Sequence, residues 1–435
     1  MRNNQPAQRS DHRFLVYWHF WIGVLITPIL LLMAITGGIL LFEDELLLGK
    51  YPNSAGDTAW HKTQFDRRLA EDYYDKILPM VQQELGLEAI VWRVELENRK
   101  RRFPSVLVAP KSKPWPQQRY YVNTNSGELY PGSDDDLFTS TTRFHRTLYM
   151  GWFGRLLVEF TATWLIASTL LGVLLWFRSK SAAVAKPTSS LAGGVYRLLR
   201  RLHSSAGILS ALAIVTIAWN GLHYSELYGT LYHGIARASG QYDYLLDVPK
   251  GKMAGQVDLT PLDLGRCLRS ANEHGLSWQR ISVQRMHAST GSLMIESGGD
   301  YPPSMTQTLY LDASDQSLLK RIDYEDLGWQ ARWNKWSYAL HTGSFGGLWT
   351  KLLWLLVLLV IAFLPISAAA MTLARHRKQR LALGEPISLS SVFPKRALPE
   401  HRWVWVVIVV VGILFPTIGL LAIAIGCTSW LLRIG

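Results

Sequence analysis

Cysteine is nearly missing from this 435-residue chain: Cys267 and Cys427 are the two present, and they form no CxxC pair. Thiol redox chemistry, zinc fingers, iron–sulfur clusters and covalent c-type haem attachment are therefore unsupported. No GxGxxG or other nucleotide-binding fingerprint occurs. Acid is scarce in the short polar pieces: residues 178–201 hold Arg178, Lys180, Lys186, Arg197, Arg200 and Arg201 with no Asp or Glu. Residues 375–402 hold Arg375, Arg377, Lys378, Arg380, Lys395, Arg396 and Arg402 against Glu385 and Glu400. The long polar stretches are balanced, with 14 Lys/Arg against 16 Asp/Glu over 43–143 and 11 against 13 over 224–340. The net charge of +12 thus sits in short loops and at the N-terminus (Arg2, Arg9, Arg13). That distribution argues against a nucleic-acid partner and reads as a membrane-topology signal.

What the sequence does have is long apolar runs, at 15–42, 152–177, 204–223, 347–373 and 403–425. About 20 residues suffice to cross a bilayer. Aromatic residues crowd the run ends: Tyr17, Trp18 and Trp21; Trp152, Trp164 and Trp176; Trp349 and Trp354; Trp403 and Trp405. Such belts mark headgroup level. The first run is too long for a signal-peptide core and no A-x-A site follows it, so it reads as an uncleaved anchor. Pro28, Pro365 and Pro416 are expected to kink their spans.

The resulting expectation is an integral membrane α-helical bundle of five spans with two α+β domains outside. With basic loops inside, the layout is a cytoplasmic N-terminus (1–14), first span (15–42), first outer domain (43–143), second span (144–178) and cytoplasmic loop (179–202). The third span (203–223), second outer domain (224–340), fourth span (341–374), second cytoplasmic loop (375–402) and fifth span (403–426) follow, leaving the C-terminus outside. Within the first domain, 66–85 reads as an amphipathic helix, and 89–97, 104–109 and 118–123 as strands before an NTNSG turn and ELY. In the second, LTPLDLGRCLRSANEHG reads as a helix, WQRISVQ and GSLMIES as strands, and TLYLDASDQSLLKRIDY as strand, turn and strand.

The likeness extends to whole halves. His19 opens a span, a domain follows, and FHRTLYMGWFGRLL leads into the next span; His203 opens a span, a domain follows, and LHTGSFGGLWTKLL leads into another. The separations are 126 residues from His19 to His145 and 138 from His203 to His341. Both halves start on one side of the membrane, so they read as parallel repeats that an axis along the membrane normal could relate.

Equivalent residues of such repeats lie at equal depth. That pairs His19 with His203 near the cytoplasmic face and His145 with His341 near the outer face. Two facing imidazoles from separate helices suit a six-coordinate haem iron, each neutral ring giving one nitrogen. A single histidine near a helix end is commonly a polar anchor; four in matching positions weigh toward shared ligation. Zinc fits less well, because no carboxylate or thiolate stands beside these histidines. Ligation by two histidines leaves no open position at the metal and favours electron transfer.

His223 has no counterpart in the first half; it could replace His145 or His341 as a ligand, serve an acceptor site, or anchor at the interface. Arg146 and Lys351 could meet haem propionates or snorkel to phosphate. Arg155 and Glu159, spaced i, i+4, read as an ion pair. Along one helix His203 and His223 are roughly 30 Å apart, and the outer pair is expected at the height of His223 or above it.

These residues resemble the PepSY-associated transmembrane family, in particular its iron-regulated and ferric-siderophore reductase members. The resemblance rests on His19 with the following WIG, FHRTLYMGWFGR with His145, LHSSAG with His203, LHTGSFGGLWTKLLW with His341, and the hairpins YYVNTNSGELY and LYLDASDQSLL. It departs from the family in WNGLHYSEL, where spans often end in T-G, and in the appended fifth span. The resemblance implies a multi-pass protein of the bacterial inner membrane with PepSY-like periplasmic domains and two b-type haems. The implied activity is an oxidoreductase that passes electrons from a cytoplasmic donor or quinol to a periplasmic ferric siderophore, releasing Fe(II). A PepSY-type binding or regulatory protein without haem, or a siderophore-uptake accessory or transporter, are the rival readings.

Overall fold

The structure is a computed structural model of the chain. It describes residues 5–43, 89–95, 105–110, 118–122, 129–132, 137–179, 191–241, 248–252, 264–276, 281–285, 290–297 and 306–383, with a few isolated positions besides. The expected helix at 66–85 and the fifth span at 403–426 lie outside the described residues, as does Cys427.

Four described helices are long and apolar enough to cross a membrane: Asp11–Leu41, Gly151–Arg178, Gly194–Leu222 and Leu348–Leu383. They belong to α1 (Gln5–Leu41), α3 (Gly151–Ser179), α4 (Leu191–Leu222) and α8 (Leu348–Leu383). α1 and α4 each pack against both α3 and α8, so α1 faces α4 across the diagonal of a four-helix bundle. Ile22, Ile26, Leu30 and Ala34 recur every four residues of α1 and meet Trp164, Ile214, Ala218, Leu222, Val357 and Ile361 in the bundle core. Outside the bundle the pattern is inverted for water: Leu209 is 85 % and Leu212 80 % exposed on α4. Large apolar side chains turned outward from an already apolar core are what a hydrocarbon solvent tolerates. The chain is a helical membrane protein.

The second and fourth spans do not begin at their histidines, as the sequence reading had them. His145 lies on a separate helix, α2 (Leu137–Thr147), and His341 on another, α7 (Trp329–Thr342). Between α2 and α3 the chain turns sharply through Leu148, Tyr149 and Gly151, all at positive φ. Gly154 lies against that elbow; a Cβ there would fall 1.7 Å from the Thr147 carbonyl oxygen, so no other residue fits. Between α7 and α8 the same job falls to Gly343 and Gly347, also at positive φ. FHRTLYMGWFGR and LHTGSFGGLW are thus elbow motifs that set a histidine-bearing helix at an angle to a span.

The polar regions hold strands β1 (Ala89–Glu95), β2 (Ser105–Pro110), β3 (Gln118–Val122) and β4 (Leu129–Gly132), then β5 (Ile281–Arg285), β6 (Ser292–Ser297), β7 (Gln307–Asp312) and β8 (Leu318–Asp323). Two short further helices, α5 (Leu227–Ala238) and α6 (Leu264–Glu273), complete the described set. The two polar regions do not stand as two separate domains, contrary to the expectation from sequence. Both antiparallel meanders join edge to edge in one eight-stranded sheet, ordered β4-β3-β2-β1-β5-β6-β7-β8. The joint is antiparallel, with Arg93 opposite Gln284, Val94 opposite Val283 and Glu95 opposite Ser282. Val94 and Val283 are fully buried in a core that α6 closes with Cys267, Leu268 and Ala271. Burying each valine contributes about 1.5–3 kcal/mol. The opposite face carries Met294, Tyr310 and Ile322, which pack on Leu327 and Ala331 at the start of α7. The Lys335–Glu296 ion pair of 2.5 Å and the Trp336 Nε1–H bond of 3.1 Å to Tyr324 Oη tie α7 to that face. So α7 connects the sheet to the bundle and carries His341 between them.

Candidate functional site

His19 on α1 and His203 on α4 face each other across the bundle diagonal, ring centres 6.2 Å apart. His145 on α2 and His341 on α7 form a second pair, ring centres 6.4 Å apart. An ion held between two imidazoles by bonds of about 2 Å, with roughly 1 Å from each nitrogen to its ring centre, needs about 6 Å between the centres. Both pairs have that spacing.

The other nitrogen of each ring is fixed by a neighbouring helix. His19 Nδ1 lies 2.9 Å from the Ser168 carbonyl oxygen on α3, and His341 Nδ1 lies 2.9 Å from that of Ile217 on α4. His203 Nδ1 lies 3.1 Å from the Leu364 carbonyl and 2.8 Å from Ser367 Oγ on α8. Ser367 spends its own proton on Leu364 O at 2.8 Å, so it accepts from the ring. His145 Nδ1 lies 2.8 Å from Thr36 Oγ1 on α1, and Thr36 donates to Leu32 O at 2.8 Å. Carbonyls accept and do not donate, so each Nδ1 carries the proton. The Nδ1–H tautomer is the one whose Nε2 ligates a metal, and a fixed Nδ1–H orients the ring for it.

Glycines make room for the rings. A Cβ at Gly221 would fall 2.8 Å from His341 Cε1 and one at Gly172 would fall 3.1 Å from His19 Cε1, whereas one at Gly37 would meet His145 Cε1 at an ordinary 3.6 Å. Small residues of this kind let side chains seat deep between helices. Among the described residues no group of three or more His, Cys, Asp or Glu could hold a metal. Each pair offers two ligands, which suits a macrocycle that brings its own four nitrogens.

Depth follows from the partners. His145 sits at the level of Thr36, 17 residues above His19 on α1, or about 25 Å. His341 sits level with Ile217 to Gly221, 14 to 18 residues above His203, or about 21–27 Å. The outer pair therefore lies below His223 and closer to the first pair than the sequence reading had it.

His223 joins neither pair. It is buried, its Nε2 accepts a 2.6 Å hydrogen bond from Trp333 Nε1–H, and Tyr228, Tyr232 and Trp333 surround its ring. Arg146 is exposed on α2. Lys351 pairs with both oxygens of Glu45 at 2.9 Å. The expected Arg155–Glu159 pair is replaced by different contacts. Arg155 meets Glu226 at 2.9 Å, while the buried Glu159 carboxylate accepts the backbone N–H groups of Glu226, Leu227 and Tyr228 at 3.0, 2.8 and 3.0 Å. Those are unpaired donors at the start of α5, and a carboxylate there also meets the positive end of the helix dipole.

A family model, that of the PepSY-associated TM region, matches residues 16–375, five sixths of the chain and all four paired histidines. The chain belongs to the PepSY-associated TM family. No curated protein matches it. The matched stretch of this PepSY-associated protein runs from the first turns ahead of His19 to the last apolar turns of α8. Sequence reading missed Thr36, Ser168, Ser367, Gly37, Gly172 and Gly221. A signal for some was present: Thr36-Gly37 and Asn220-Gly221 both stand 17 and 18 residues after a paired histidine.

Proposed function

We propose that this PepSY-associated membrane protein holds one b-type haem between His19 and His203 and a second between His145 and His341, and that it works as a reductase. Electrons enter from a cytoplasmic donor or a quinol and leave to a periplasmic ferric chelate, most simply a ferric siderophore. One electron converts Fe(III) to Fe(II), which hard oxygen chelators hold poorly, so iron is released. Bound haem would supply reversible one-electron chemistry at each level. The chain's own residues orient the imidazoles, fix their tautomers and exclude water from the bundle core.

The observation that carries this reading is the ring-centre spacing of 6.2 and 6.4 Å in two pairs whose Nδ1 groups are all tied down. The matching partners support an ancestral duplication related by an axis along the membrane normal, with the sheet as twin PepSY-like domains. Basic residues at the ends of α3, α4 and α8 remote from the sheet favour placing those ends in the bacterial cytoplasm, with a fifth span at 403–426.

An absorption spectrum of the purified, full-length protein tests the proposal. A Soret band with low-spin α-bands in the reduced state is expected, and each single His→Ala change at 19, 145, 203 or 341 should remove one of two centres. A colourless protein after expression with ample haem supply would overturn it.

A further inference from the structure

α5 exposes large aliphatic residues. At about 100° per residue, Tyr228, Gly229, Tyr232, His233 and Ala236 fall on the side facing the protein, while Leu231, Gly234, Ile235 and Ala238 form one exposed apolar stripe bordered along one edge by the exposed Thr230 and Arg237. Leu231 is 42 % and Ile235 54 % exposed, whereas Gly229 and Ala236 are buried. A surface helix in water shows the opposite pattern.

Its depth explains why. Glu159 holds the first turn of α5, and Glu159 lies eight residues into α3, about 12 Å below the start of that span. The start of α3 exposes Trp152 and Phe153, just after the exposed Tyr149 and Met150, a girdle of the kind found at headgroup level. α5 therefore begins below that girdle and rises beside it. Tyr224, in the turn after α4, and Tyr338 on α7 are exposed and 6.4 Å apart beside the start of α5.

We propose that α5 is a membrane-contacting helix whose Leu231–Gly234–Ile235–Ala238 stripe packs on the acyl chains of the leaflet nearest the sheet. The lipid-facing surface of the four spans then continues onto α5, and lipid contact on one side with Glu159 on the other fixes the helix that lies over His223.

Nitroxide labels read this directly. Leu231→Cys and Ile235→Cys would be made singly in a Cys427→Ser background, labelled, and the full-length protein returned to phosphatidylethanolamine–phosphatidylglycerol vesicles. Leu209→Cys on α4 serves as the lipid reference and Leu318→Cys on β8 as the aqueous one. Collision with oxygen several-fold above that with a water-soluble nickel complex, as at 209, is expected at both α5 sites. Nickel-dominated collision, as at 318, would overturn the proposal. So would dipolar broadening that vanishes on dilution with unlabelled protein, which would mean that a second copy covers the stripe. Ala238→Cys, a smaller change on the same stripe, gives the same readout if either larger variant fails to fold.

Discussion

Gly221 lies so near the His341 ring that a Cβ on it would stand 2.8 Å from Cε1. Real side chains do not approach that closely, and the ring is held from behind by its 2.9 Å bond to Ile217. Gly221→Ala should therefore push His341 out of line and weaken or remove the outer of the two proposed haem centres in the absorption spectrum. Gly37→Ala, whose Cβ would meet His145 at an ordinary 3.6 Å, should leave the spectrum unchanged. Equal behaviour of the two variants would contradict this account of the cradle.

The hydroxyls beside the rings should differ in importance. Thr36 is the acceptor seen for His145 Nδ1–H, whereas His203 has both Ser367 Oγ and Leu364 O. Thr36→Val removes the acceptor at nearly constant shape, and supporting bonds of this type are worth about 10–100-fold in metal affinity. With haem held as proposed, titration of the haem-free protein should show a loss on that scale at one of the two proposed centres, with Ser367→Ala several-fold milder.

Glu159 should behave as a structural anchor for α5. Removing a buried carboxylate that accepts three backbone N–H groups leaves those donors unpaired, at a cost on the order of 2–3 kcal/mol. Glu159→Ala should lower the melting temperature in detergent and speed hydrogen exchange over 227–238 ahead of the rest. Uniform exchange across the chain would argue against a local role.

The β7–β8 hairpin should respond to acid. Burial pushes the Asp312 carboxyl up, but bonds from Ser314 Oγ, Lys252 N–H and Ser314 N–H outweigh it and leave the group below its usual value. A carboxyl depressed in the folded state stabilises above its unfolded value, about 3.9. That contribution is lost as pH falls through the lower folded value. Melting temperature should drop as pH falls from about 5 toward about 3, and Asp312→Asn should flatten the drop while lowering stability at neutral pH.

Sequence alone determined four of the spans and the described strands. Spans announce themselves by apolar length, strands by alternation, and the four histidines by matching places in two halves, because each of these signals is local or repeats at fixed spacing. Tertiary structure decided the rest: that the meanders fuse through Val94 and Val283, that Glu159 caps a helix 68 residues away instead of pairing with Arg155, and that Trp333 occupies His223. It also decided that imidazoles from α1 and α4, and from α2 and α7, stop about 6 Å apart. Periodicity says which side of a helix is buried; what it is buried against depends on the packing of helices distant in the chain, and no local pattern encodes that.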